Sequence, residues 1–303
     1  MHPSGEQVEF RSGDQRAVVV QQGGGIRTYD VAGSAVLDGY PVEEMVSGGR
    51  GLVLAPWPNR LHTGRYEWDG QEHALPVDEP AKGNAMHGLA RWRSWHVVEV
   101  EDDAVTMGLR LLPMRGYPFA LDLAVRYALG DDGLSVATTA TNVGGTPAPY
   151  GCGAHPFLTV GTPTVDDAVL LLPASTRLPT DENQIPTGRE RVDGTPFDFR
   201  SARPVGDVVV DHCFTDLQRG PDGNAEVVLS TADGSRRVVL WLDAGYPYVQ
   251  LFTGDSLPQV ERRRQGLAVE PTSCPPDAFR TGEGLLRLEP GTSVTHRWGI
   301  RPR

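Results

Sequence analysis

The chain has 303 residues and a formal net charge of −11. So acidic a surface repels phosphate backbones and excludes nucleic acid as a partner class. No stretch approaches the ~20 apolar residues that cross a bilayer, and the opening MHPSGEQVEF lacks the basic-then-apolar pattern of a secretory signal.

The cysteines, Cys152, Cys213 and Cys274, are odd in number and form no CxxC. A disulfide framework is not expected, and a cytoplasmic, reducing setting without membrane partners fits best. Gly 36 and Pro 25 punctuate the chain without a period. No repeat of 20–50 residues points to a propeller, and no polar linker divides the chain, so one domain over 1–303 is expected.

In chain order, the first ambiguous segment is DVAGSAVLDGYPVEEMV (30–46), which hints at a short helical turn. RYEWDGQEHAL (65–75) then places Asp69-Gly70 between two alternating runs, a strong hairpin signal. A long loop follows at about 76–86. AVTMGLRLL (104–112) puts Val105, Met107, Leu109 and Leu111 on one face, and LDLAVRYAL (121–129) does so with Leu121, Leu123, Val125, Tyr127 and Leu129. GDDG (130–133) turns the chain into the next strand. A second long loop spans about 173–200. Strand–turn–strand patterns recur at 225–242 around TADG and at 285–300 around EPG. Period-two alternation with almost no helical stripe predicts an all-β antiparallel sandwich with few or no helices. Long loops on such a scaffold usually wall a cleft.

Phosphate-binding glycine motifs, HExxH and GxSxG are all absent. What remains is a set of polar residues where apolar strands meet Gly or Pro turns: Asn59-Arg60 after APWP, His87 before Gly88, His155 before Pro156, Asp211 after three valines, and Glu270 ahead of Pro271, Pro275 and Pro276. Each has a bland alternative as a surface, turn or capping residue. The prolines after Glu270 are expected to stop the strand and turn its carboxylate toward a cavity. Zinc held by the three cysteines with His155 and His212 is a weaker reading, because structural sites draw ligands from tight C-x₂₋₄-C units and none occurs. Neither metal nor cofactor is expected.

NRLHTGRYEWDGQEHAL, NAMHGLA, YGCGAHPFLTVG, LPTDENQIPTG, DHCFTDL and GLAVEPTSCPPDAF occur in an order that resembles the aldose 1-epimerase (galactose mutarotase-like) family from about residue 50 onward. The resemblance implies a large antiparallel β-supersandwich. It also implies Glu270 as general base, His155 as general acid, and Arg60, His87, Asp211 and neighbouring Asn59 as sugar-binding residues. HGLARWRSW is closer to hexose-6-phosphate 1-epimerases and sulfoquinovose mutarotases than to the best-known galactose mutarotases. That would give Arg91 and Arg93 an anionic sugar substituent to hold.

The implied reaction is interconversion of hexopyranose anomers in a monomer or homodimer, with a small-molecule sugar as partner. A carboxylate takes the anomeric proton while an imidazolium protonates the ring oxygen, the two straddling the ring. Trp57, Trp92 and Trp95 are candidates to stack on the sugar. The alternative is a non-catalytic carbohydrate-binding protein of the same fold.

Overall fold

The computed structural model describes residues 1–303. Two large antiparallel sheets carry the fold. In the nine-stranded sheet the spatial order is His96–Val100, Ala104–Leu111, Leu121–Gly130, Gly133–Asn142, Ser293–Pro302, Arg237–Leu242, Ala225–Ser230, Val169–Leu171 and Arg203–Pro204. Leu121–Gly130 alternates buried and half-exposed residues along almost its whole length, as a strand with one dry face must. Its register sets Leu123 opposite Leu109, Val125 opposite Met107 and Tyr127 opposite Val105. These side chains belong to one continuous core of 62 buried residues.

The eight-stranded sheet differs in kind. Its main path runs Glu190–Arg191, Ala174–Leu178, Asp211–Leu217, Tyr248–Phe252, Leu267–Thr272, Gly153–Ala154 and Val53–Leu54, with Phe157–Leu158 pairing beside it on Leu267–Thr272. All six residues of Leu267–Thr272 are buried. Both faces of this strand are covered, so it reads as an apolar run rather than an alternation. A four-stranded N-terminal sheet comprises Gln7–Ser12, Gln15–Val20, Ile26–Val31 and Ser34–Ala35.

The scarcity of helix holds: one four-residue α-helix, Ala278–Thr281, and three 3₁₀ turns. No helix is long and apolar enough to cross a membrane. The Asp69-Gly70 hairpin also holds, joining Arg65–Trp68 to Gln71–Ala74. Both turn residues have positive φ, 49° and 76°, as a two-residue type I′ connection requires.

Three expectations are corrected. Segment 30–46 contains no helix; Ala32 and Gly33 make a positive-φ turn into the strand Ser34–Ala35, and Gly39 and Pro41 are poor helix residues. The 285–300 segment is no hairpin. Leu286–Leu288 pairs with Ala148–Tyr150, whereas both edges of Ser293–Pro302 are occupied, by Gly133–Asn142 and Arg237–Leu242. Finally, Glu270 does not end its strand. Pro271 lies inside Leu267–Thr272, and the break comes only after Thr272, ahead of Pro275 and Pro276.

Candidate active site

Strand register places the acid–base candidates. Gly153 pairs with Thr272 and Phe157 with Ala268, so the interruption between these two short strands falls opposite Glu270. His155 occupies that interruption. Pro156 follows it and has no N–H to continue a ladder. On the other side, Glu270 pairs with Gln250, and Asp211 with Phe252. The strands on either side of Tyr248–Phe252 thus deliver Asp211 and Glu270, and the interruption beside Leu267–Thr272 delivers His155, to one region.

A separate two-stranded unit brings the remaining residues. Arg60–His62 pairs with Asn84–Met86, and the pairing extends to a clamp between Asn59 and His87. The His87 N–H donates to the Asn59 carbonyl at 2.7 Å, and the Asn59 N–H donates to His87 Nδ1 at 3.1 Å. Both residues have positive φ, 54° and 57°, a conformation that non-glycine residues adopt at a cost and that clusters at functional sites. The next residue must be glycine: at φ 73°, a Cβ on Gly88 would lie 2.1 Å from the Ala55 carbonyl oxygen. This accounts for the His-Gly pair in the sequence.

All six sequence-derived residues, Asn59, Arg60, His87, His155, Asp211 and Glu270, line one hollow of about 460 Å³. Arg91 and Trp92 line it as well. Arg93 does not; it is exposed, with Nη2 directed at Met114 Sδ. Of the three tryptophans only Trp92 reaches the hollow, because Trp57 and Trp95 are 3% and 1% exposed in the core. The loop at 76–86 contributes Glu79 and Met86 to the wall. The 173–200 segment does not line it and is not the long loop expected, since it contains the strands Ala174–Leu178 and Glu190–Arg191; the Asn183 carbonyl accepts from Asn84 Nδ2 at 2.8 Å.

Sequence reasoning missed Glu79, the Val46-Ser47-Gly48-Gly49 segment and the Ser256-Leu257-Pro258-Gln259 segment. Glu79 takes both Arg60 hydrogen bonds, at 2.9 and 3.0 Å, and fixes the guanidinium within 4.0 Å of Asp211. An acidic residue in a polar loop carries no sequence signal of that partnership. The glycine pair at 48–49 was the one available signal.

His155 Nε2 lies 3.3 Å from Glu270 Oε1, and the two side chains are 5% and 2% exposed. This is a contact pair, not two groups separated by the width of a ring. Burial, with Asp211's negative charge, pushes the Glu270 carboxyl well above the usual range. Burial, with the nearby Arg50 and Arg91 charges, lowers His155 to about 3. Both shifts favour the uncharged forms, a protonated carboxyl beside a neutral imidazole. Asp211 is also raised, by burial, against the opposing pull of Arg60 and of the Gln250 Nε2–H donor at 2.7 Å.

Four lining residues carry a buried polar atom that no group of the chain satisfies: Glu270 Oε2, His155 Nδ1, Arg91 Nε and Gln259 Oε1. Such atoms are rare in folded proteins, and four of them on the lining of one hollow leave polar capacity there unmet by the chain.

His87, His155 and Glu270 place potential ligand atoms within 4.8 Å of one another. The tautomer argues against a metal centre. Since His87 Nδ1 accepts from the Asn59 N–H, the hydrogen of the neutral ring is on Nε2, making that atom a donor. Burial, with the Arg91 and Arg60 charges and any proton on His155, pushes the pKa of this ring well down. The three cysteines are buried and free and do not join this group; Cys152 Sγ lies 3.5 Å from His296 Nδ1 instead.

The fold is thus an antiparallel sandwich in which a buried carboxyl–imidazole contact and further polar side chains surround one hollow. Residues 6–301 match the aldose 1-epimerase family, and the chain belongs to that family. It is 38% identical over 295 residues to the uncharacterized protein YihR of Escherichia coli K12, covering 96% of this chain and 91% of that one. It is 27% identical to the galactose mutarotase of Rattus norvegicus, covering 88% and 81% of the respective chains. Among solved structures, the GalM/aldose epimerase homologue from C. elegans superimposes with a TM-score of 0.86 at 18% identity over 98% of both chains, a likeness of fold.

Proposed function

We propose that this protein interconverts the α and β anomers of a free hexopyranose by acid–base ring opening and closure, with Glu270 and His155 as the proton-transfer pair. The observation carrying this reading is their 3.3 Å contact in a hollow that also presents Asp211, His87, Arg60 and Asn59. The anomeric hydroxyl oxygen and the ring oxygen are bonded to the same carbon, so two adjacent protein atoms reach both in parallel. Glu270 removes the hydroxyl proton, and those bonding electrons form the C1 carbonyl. The C1–O5 bond breaks, and O5 takes its proton from His155. Rotation about C1–C2 and reversal of both transfers give the other anomer.

The neutral resting pair and the reactive carboxylate–imidazolium pair contain the same number of protons. They differ by one transfer across the contact. Sugar hydroxyls donating to Glu270 stabilise its charged form, as hydrogen bonds to a carboxylate do. Asp211 accepts hydroxyl protons, the His87 Nε2–H donates, and Arg60, pinned by Glu79, donates from a fixed guanidinium. Asn59 orients His87 and offers its own amide.

A second, finer reading is an anionic hexose, 6-phosphorylated or sulfonated. It rests on Arg91, which lines the hollow beside Trp92 and whose Nε has no partner in the chain. Arg91 also binds Asp78 at 2.6 Å, which holds the guanidinium in place. The test is anomer-exchange NMR on neutral, 6-phospho and 6-sulfo hexoses. Acceleration of any one supports the mutarotase reading; absence of exchange across the whole panel overturns it. A preference for the anionic sugars that is lost in Arg91→Met supports the finer reading, and equal rates on all three overturn that alone.

A further inference from the structure

Apart from His87, the walls of the slot that holds the His155 imidazole have no substrate-binding assignment. The Phe157 ring lies nearly parallel to it, at 9° and 5.2 Å between centroids. The His87 ring meets it edge-on at 5.3 Å. Gly49, at φ 75°, packs directly against it: a Cβ there would fall 2.6 Å from Cδ2 and 3.0 Å from Nε2. The Arg50 guanidinium lies 4.4 Å over the Phe157 ring.

Arg50 is 2% exposed. It donates to Asp38 Oδ2 at 3.1 and 3.3 Å and to the Ser47 carbonyl at 3.2 Å. Asp38 also binds Arg262 at 2.8 Å. An arginine this deep is costly even when paired, and an apolar residue would pack on Phe157 without that penalty. Its placement one position after a glycine that touches the acid–base histidine points to a role beyond packing.

We propose that Gly49 and Arg50 are positioning residues for the acid–base pair: the absent side chain at 49 forms the slot, and Arg50 holds Phe157, and through it the plane of the His155 ring, against Glu270. The inference rests on the reading of His155 given above. The groups facing the imidazole are Glu270, His87, Arg50 and Arg91, with Asp38 and Arg262 behind Arg50 and with Arg60 and Asp211 farther along the hollow. Of these, Arg50 and Arg91 both disfavour a second positive charge on the ring. Arg50 therefore acts on geometry and on charge together, and the two effects separate experimentally.

The experiment compares wild type, Arg50→Lys, Arg50→Met and Phe157→Leu. It reads the His155 ring titration by ¹⁵N NMR and anomer exchange against pH. Arg50→Met leaves Asp38 paired with Arg262. It is expected to raise the His155 titration and the acid limb of the rate profile by on the order of one pH unit and to lower kcat about tenfold with little change in KM. Arg50→Lys is expected to restore the titration and most of the rate. Phe157→Leu keeps the ion pair but removes the stack, and is expected to lower kcat about tenfold with the titration nearly unmoved.

A folded Arg50→Met protein with an unaltered ring titration and unaltered kcat overturns the inference, as does an unaffected Phe157→Leu rate if Arg50→Met does not fold. Wild type without anomer exchange instead overturns the assigned reaction, while the ring titrations still test the effect of Arg50 on His155.

Discussion

The nine-stranded and eight-stranded sheets use the same antiparallel ladder for different ends. In the first, Leu121–Gly130 and Gly133–Asn142 are ten residues each and alternate between core and surface. In the second, Leu267–Thr272 is six residues with none exposed, and its partners on one side are two-residue strands interrupted at His155. Long, regular strands give the first sheet its stability. Short, interrupted ones give the second places where a side chain leaves the ladder and enters the hollow. The division is testable: substitutions in the second sheet should change the reaction and leave stability nearly intact, and those in the first should do the reverse.

The largest effect is expected from the pair itself. Glu270→Gln and His155→Asn should each lower the anomer-exchange rate by about 10³-fold, within the range found for general acid–base groups, with folded spectra unchanged. Neither replacement leaves a buried charge, so each should keep its melting temperature close to wild type. Near-normal exchange in either variant removes that residue from its role.

The pair also dictates the pH profile. Activity requires that it hold one proton. On the acid side it gains a second, onto His155, whose affinity is depressed to about 3; the base is then lost and the rate falls. On the alkaline side it loses its only proton, from Glu270, whose pKa burial and Asp211 raise; the acid is then lost. Both shifts widen the plateau, so kcat/KM should fall only in strong acid on one side and, on the other, at a pH well above the ordinary carboxylate range. Asp211→Asn removes one of the two causes that raise Glu270, so the alkaline limb should move to lower pH. It should also raise KM about tenfold, the value of one hydrogen bond to a charged group. An unmoved alkaline limb would separate Asp211 from the pair.

Legibility in the sequence follows the same divide. Period-two patterning predicts strands where one face is wet, and at 121–129 it places every core residue correctly. It is silent at 267–272, where both faces are dry. There the informative feature is the opposite one, a single ionisable residue inside an apolar run. Asn59, Arg60, His87, His155, Asp211 and Glu270 are all visible as such exceptions, although their convergence depends on pairings such as Gly153 with Thr272 that no local pattern encodes. Glu79 and the 256–259 segment are ordinary loop residues whose importance lies wholly in three-dimensional proximity. The direction in which the His155 pKa moves is not legible either, because it depends on burial and on Arg50 and Arg91 rather than on residue type.

In the nine-stranded sheet, Leu123→Ala provides the converse test. Leu123 is 2% exposed and sits between Leu109 and Ala140 on the neighbouring strands. Removing its branched end should cost about 3 kcal/mol of stability through lost burial and the residual cavity, measured by denaturant unfolding. The exchange rate of the folded fraction should stay within about twofold of wild type, because additive, uncoupled effects are expected at distant sites. A large fall in kcat would mean that the two sheets are mechanically coupled and that the proposed division is wrong.

The smallest effect separates two glycines with nearly the same backbone angle. Gly70, at φ 76°, has nothing within 4 Å of where a Cβ would stand. Gly70→Ala should therefore cost only the left-handed backbone penalty, about 1 kcal/mol, seen as a fall of about 2 °C in Tm with activity unchanged. Gly88, at φ 73°, carries the same penalty, but its Cβ would lie 2.1 Å from the Ala55 carbonyl oxygen. Gly88→Ala must displace the backbone that holds His87, so kcat should fall together with Tm. If the two variants behave alike, the strained Asn59–His87 clamp does not position the sugar-binding histidine. If they differ as expected, the distinction between a glycine needed for its turn and one needed for the site can be read in a single pair of melting curves and rate measurements.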